Sequence, residues 1–284
     1  MYTQIIKQPS VRGIAASALA TADVPAKGTH FAAFLRCLTS AGVELTRAQM
    51  LADISDIYVD LNGQRIYDVS AKLLLDLQKY YGDAQGAGNV DGIIPVYFSR
   101  PHLSTFAERS LYAIGMNKVD SFVITLKLAS SLAQLSSVEV YSEITPDERA
   151  VGQHYQIKKY PQSFSSTGLQ EVTSIPKQDA TVAYGALHIE AGSGTFDYVT
   201  IKLGGQSIHD TICPNLNKVM LQREMRTPQS GYYHADFARN RDMGSILPMA
   251  GVKDFRTQIN WKTAAPGNFN IYAEELHGLK VTNA

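Results

Sequence analysis

Seven histidines are the first candidates for acid–base or metal chemistry: His30, His102, His154, His188, His209, His234 and His277. They are scattered, with no HxH or HExxH spacing and no neighbouring cysteine, so nothing gathers the three or four ligands that zinc needs. His209 sits where an internal echo of the sequence has Tyr67, which a place on a strand face explains as well as catalysis does. Cys37 and Cys213 form neither a CxxC pair nor a Cys/His cluster and read as two buried thiols. No serine or cysteine has a GxSxG setting. Glu143, Asp147 and Glu148 stand close together, and glycoside hydrolysis wants two carboxylates facing one bond. Here they lie in "SEITPDERAVGQHY" (142–155), a connection with Arg149 as its own counter-ion.

Two further stretches imitate binding motifs. "GDAQGAGNVDG" (82–92) lacks the GK[ST] ending of a phosphate loop and has Ile94 where a calcium loop needs Glu, so it reads as a surface loop. "GYYHADFARNRD" (231–242) interleaves aromatics with Arg239 and Arg241, as single-strand nucleic-acid grooves do. Yet Tyr233, Ala235, Phe237 and Arg239 alternate as one face of a strand with an interface-facing edge. Lys plus Arg and Asp plus Glu are both 26, and this zero balance argues against a dedicated nucleic-acid binder. No catalytic or cofactor-binding residue is therefore assigned, no cofactor is required, and the metal question is left undetermined.

The elements that would have to position any such chemistry occur twice. "VDLNGQRIYD" (59–68) and "IKLGGQSIHD" (201–210) place Leu61 against Leu203 and Asp68 against Asp210, each 142 residues apart in a chain of 284. In the same order, "QIIKQP" (4–9) answers "QIKKYP" (156–161), and "VP" (24–25) answers "IP" (175–176). Phe98-Ser99-Arg100 answers Phe237-Ala238-Arg239, and "VEVYSEI" (138–144) answers "FNIYAEEL" (269–276). The chain reads as a tandem duplication divided near residue 150.

Strand signals dominate each copy. "FAAFLRCL" (31–38), "DIYVDL" (56–61), "IIPVYFSR" (93–100), "SFVITLKL" (121–128) and "SVEVYSEI" (137–144) are short and rich in β-branched and aromatic residues. "YGALHIEA", "YVTIKL", "YYHADFAR", "RTQINWK" and "NFNIYAEEL" supply the second copy. Asn62-Gly63 and Gly204-Gly205 mark tight hairpins. One helix follows each: Ser70 caps a stripe of Leu73, Leu74 and Leu77 that Gly82 stops, and Pro214 opens a stripe of Leu216, Val219 and Met220. "TRAQ" from Thr46 has capping-box spacing. "IAASALA" (14–20) is too short for a signal peptide and lacks a cleavage region, and no apolar run reaches the roughly 18 residues of a membrane span. The composition predicts two tandem β-sandwiches.

Segment 57–82, "VYFSRPHLSTFAERSLYAIGM", "SFVITLKL", "QIKKYPQSFSSTGLQEVTSIPK" (156–177) and 186–210 together resemble the major capsid protein of corticovirus-type tailless phages. The strand, Asn-Gly turn, Leu-rich helix and the aromatic-x-Arg-Pro motif Phe98-Ser99-Arg100-Pro101 bear the likeness, which fades after about residue 220. The resemblance implies an all-β double jelly roll: two tandem eight-stranded barrels, residues 1–149 and 150–284, with short helices in loops. It implies a non-enzymatic coat subunit forming pseudo-hexagonal homotrimers that tile an icosahedral shell over an internal membrane. The implied partners are neighbouring capsomers, penton or minor capsid proteins and the viral membrane, with no direct nucleic acid, and the place of assembly is the host cytoplasm. Lys7, Arg12 and Lys27, with no acid before Asp23, suit an anionic lipid surface. Structural calcium, which some relatives hold at capsid contacts, has only Asp83, Asn89 and Asp91 as donors here. A carbohydrate-binding or carbohydrate-active double sandwich is the alternative, and the lone Trp261 is poor material for its aromatic platform. A vertex or spike protein fits less well, because those are usually single jelly rolls.

Overall fold

Each unit carries one tight hairpin turn in the protein, which is described by a computed structural model over residues 3–82, 91–103, 110, 112–176, 181–238 and 246–278. Asn62-Gly63 (φ 48° and 75°) joins β4 (Ile54–Leu61) to β5 (Gln64–Ser70). Gly204-Gly205 (φ 56° and 86°) joins β13 (Phe196–Leu203) to β14 (Gln206–Ile212). Two successive positive φ angles give the turn whose twist matches that of the flanking strands.

By contacts the chain divides into one unit through Gln156 and another over Ile157–Gly278. The first contains β1 (Gln4–Gln8), β2 (Leu19–Asp23), β3 (Thr29–Leu38), α1 (Arg47–Asp53), β4, β5, α2 (Ala71–Tyr81), β6 (Ile93–Tyr97), the two-residue β7 (Ile114–Gly115), β8 (Phe122–Leu128) and β9 (Ser137–Thr145). Its sheets run β1-β9-β3-β6, with β7 beside β3, and β5-β4-β8-β2. The second is built on β10 (Gln153–Phe164), which begins just before the division, β11 (Gly168–Val172), β12 (Val182–Glu190), β13, β14, α3 (Pro214–Arg223), β15 (Tyr232–Asp236), the two-residue β16 (Leu247–Pro248), β17 (Phe255–Trp261) and β18 (Gly267–Gly278). Its sheets run β15-β12-β18-β10, with β16 beside β12, and β11-β17-β13-β14.

If the eight long strands of each unit are lettered B to I in chain order, both units read B-I-D-G and C-H-E-F. That is the jelly-roll order, so the chain is a double jelly roll. The two sheets of each unit are the open faces of a jelly-roll sandwich, as the double jelly roll expected from the sequence requires. The duplication holds to the residue: Leu61 pairs with Phe122 across β4 and β8, and Leu203 with Phe255 across β13 and β17.

Each core follows from period-two burial. Ile57, Val59, Ile124 and Leu126 point inward in the first unit; Leu187, Ile189, Val199, Ile201, Ile259 and Trp261 pack together in the second. A fully buried side chain of this size contributes roughly 2 kcal/mol.

The helices divide. Ser70 Oγ accepts from Leu73 N (3.2 Å) and Gly82 ends α2 in the left-handed region, while α1 shows the reciprocal Thr46/Gln49 box. In α3, Pro214 opens the helix as expected, but the apolar stripe is not covered: Leu216 is 48% and Val219 63% exposed, and the buried residues are Asn217 and Leu221. Periodicity identifies an apolar face without saying what lies against it. Besides the two-residue β7 and β16, two strands escaped the sequence pattern: β2, within and after "IAASALA", and β11.

Candidate assembly surface

The aromatic-x-Arg motif lies outside the strand assigned to it, because β6 stops at Tyr97 and β15 at Asp236. Its work is at the strand's end. A β-bulge shifts the register between His30 and Ala32 in β3, and between Tyr184 and Ala186 in β12. The bulged residues, Phe31 and Gly185, turn a carbonyl toward the motif. Phe31 O accepts from Phe98 N and Ser99 N, both at 2.9 Å; Gly185 O accepts from Phe237 N at 2.8 Å and Ala238 N at 3.3 Å. Beyond this clamp the Arg100 guanidinium lies 3.6 Å from the centre of the Tyr155 ring, in cation–π geometry. The hairpins are tied down in the same duplicated manner. Asn62 N donates to Ser121 O (2.9 Å) and Gly204 N to Asp254 O (2.8 Å), each acceptor one residue before its strand β8 or β17.

The histidines are not all scattered. Strand register sets His188 of β12 directly opposite His234 of β15, with Glu274 of β18 nearby. His188 Nδ1 meets His234 Nδ1 at 2.8 Å, and His188 Nε2 lies 3.3 Å from the Glu274 carboxylate. Gln229 N donates to His234 Nε2 at 3.2 Å. That donor fixes the tautomers: His234 carries its proton on Nδ1, donates to His188 Nδ1, and leaves His188 to donate from Nε2 to Glu274. All three side chains are buried, so the row is a polar strut with no open position for substrate. Positions 188 and 234 are 46 residues apart, and only the sheet brings them together. His209 is on a strand face as expected, 2.5 Å from the Tyr233 hydroxyl, which donates to Ile212 O. Burial pushes the Tyr233 phenol upward.

The remaining candidates disperse. Glu143 lies on β9, and burial raises its carboxyl above the usual range. Arg149 does not serve as counter-ion in the way expected, for its guanidinium donates to the carbonyls of Ser110 and Ala113 (2.5 and 3.1 Å). Asp91 accepts from the backbone N of Arg47 (3.1 Å), while Asp83 and Asn89 lie outside the described residues. Among the described residues no group of three His, Cys, Asp or Glu side chains is placed to hold a metal ion. Tyr233, Ala235 and Phe237 do share a face, which packs into the core of the second unit, while β15 itself is the end strand of its sheet; Arg239 and Arg241 lie outside the described residues. Cys37 is buried, its thiol pushed up to about 12 by burial, whereas Cys213 is exposed at the start of α3, contrary to the expectation of two buried thiols. Trp261 is 1% exposed, so the carbohydrate alternative has no platform there.

What faces outward is apolar in a patterned way. Leu19 of β2 is 61% exposed and Leu169 of β11 54%. Leu19 pairs with Lys127 and Leu169 with Asn260, equivalent positions of β8 and β17. Each unit therefore presents the same leucine on the same end strand. Models of the viral coat protein P2 N-terminal and C-terminal domains match residues 5–145 and 155–279. The chain belongs to the viral coat protein P2 family.

The double jelly roll of this coat protein is shared with solved capsid structures. The major capsid protein P2 from bacteriophage PM2 superposes with a TM-score of 0.84 at 16% identity, covering 99% of each chain. The STIV major capsid protein gives 0.68 at 11% identity over 98% of this chain and 97% of that one. A chain of the PBCV-1 virus capsid gives 0.60 at 13% identity over 97% and 94%. No curated protein matches by sequence. No helix among the described residues is long and apolar enough to cross a membrane.

Proposed function

We propose that this coat protein works without turnover, as a homotrimeric capsomer of an icosahedral shell that encloses a membrane. The supporting observation is the duplication: two jelly rolls alike in strand order, bulge, hairpin tie and end-strand leucine. Three such chains present six similar units to their surroundings, which fits hexagonal tiling. Leu19 and Leu169, bare in both units, are suited to contacts that every capsomer edge repeats, with neighbouring capsomers and with penton or minor proteins at the vertices. Arg12 and Lys27 are exposed and free to meet anionic lipid; Lys7 is already held by Glu139. Assembly in the host cytoplasm and the absence of nucleic-acid contact complete the reading. Size-exclusion chromatography with light scattering tests it: the purified chain runs as a trimer of about three times 31.1 kDa, and a stable monomer overturns it.

A further inference from the structure

The two units repeat each other's strands and turns but not each other's coverage. In the first unit, β1 is the end strand of its sheet, and Ile5 and Ile6, on opposite faces of it, are 71% and 38% exposed. Ile157, which the sequence echo sets against Ile5, is 3% exposed. In the second unit the bare apolar surface is elsewhere. Leu216 and Val219 of α3, with Met225 just beyond it, are 48%, 63% and 63% exposed. Counted from the N-caps Ser70 and Cys213, Leu216 corresponds to Leu73 of α2, which is fully buried. The strand leading into α3, β14, is again the end strand of its sheet.

Each unit thus carries one bare patch where the other unit is covered, and the two patches are unlike. A two-fold contact sets a patch against its own copy, so it would hide one kind and leave the other bare on both chains. A head-to-tail contact hides both kinds at once and leaves nothing over when the ring closes. Among the described strands nothing pairs with the outer edges of β1 and β14, a second reason for the two surfaces to meet, since an open strand edge is a template for pairing.

We infer that β1, with Ile5 and Ile6, of one copy docks against α3 and the β14 edge of the next copy, with Leu216 and Val219 as the receiving surface. This rests on the trimer reading and names the contact that closes it. The test uses Ile5→Asp and Val219→Asp in the full chain. Both positions are exposed, and near-UV circular dichroism checks that each variant keeps its packing. Each variant alone loses the trimer and runs as a monomer at the concentration where the wild-type chain is trimeric. Mixed one to one, they form a heterodimer and no more, because the Val219→Asp chain retains a good β1 and the Ile5→Asp chain a good α3. Variants that stay trimeric, or a mixture that stays monomeric, overturn this contact while leaving the trimer standing. A wild-type chain that is itself monomeric removes the trimer reading and this inference with it.

Discussion

His30 makes a sharp prediction about acid stability. Its ring is fully buried in β3, edge-on to Phe122 with centroids 5.1 Å apart, and burial lowers its pKa from 6.5 to about 4. The native state therefore holds His30 neutral, while the unfolded chain takes up a proton as the pH falls below 6.5. The contribution is fully present above pH 6.5, shrinks as the pH falls, and stops changing below about 4. Linkage puts the loss at about 2 kcal/mol by pH 5 and about 3 kcal/mol by pH 4. Urea unfolding followed by circular dichroism at pH 7, 6, 5 and 4 measures it, with His30→Leu as the reference. Every other titratable group is common to both proteins and cancels in the comparison. Relative to its own value at pH 7, the variant gains on the wild type by about 2 kcal/mol at pH 5. Parallel pH profiles for the two proteins would refute the reasoning.

Asp53 ends α1 fully buried and accepts from Ala133 N, Gln134 N and Leu135 N at 2.7, 2.9 and 2.7 Å; Asp53→Ala strips three backbone donors of their acceptor and costs about 3 kcal/mol in urea unfolding. Gly28 has φ +73°, and a Cβ there would stand 2.2 Å from Thr145 O, so Gly28→Ala costs about 3 kcal/mol or more, read as a lowered melting temperature. In the dissociated, folded chain a thiol reagent labels Cys213 and spares Cys37, and both react after unfolding; mass spectrometry of labelled peptides reads the difference.

The duplication was legible because its marks are local: positive-φ pairs at residues 62–63 and 204–205, and the Phe-x-Arg that follows each β6-type strand. Helix α2 was legible for the same reason, with Ser70 and Gly82 at its ends. Contacts that depend on register were not. The bulges at Phe31 and Gly185, which hold the backbone that follows β6 and β15, involve residues that share no type. His188 and His234 meet only through the pairing of β12 with β15, and Asp53 reaches a loop 80 residues away. Strands β2 and β11 are short end strands with small or polar residues, too weakly patterned to stand out. The α3 stripe shows the opposite error. Its periodicity is real, but an apolar face is buried only if something packs on it, and in the single chain Leu216 and Val219 are bare.

A cryo-electron-microscopy reconstruction of the assembled particle tests the central claim most directly. The shell should consist of pseudo-hexagonal capsomers, each three copies of this chain and six jelly rolls, over a membrane. A shell whose capsomers contain six copies, or are built from a different chain, would contradict it.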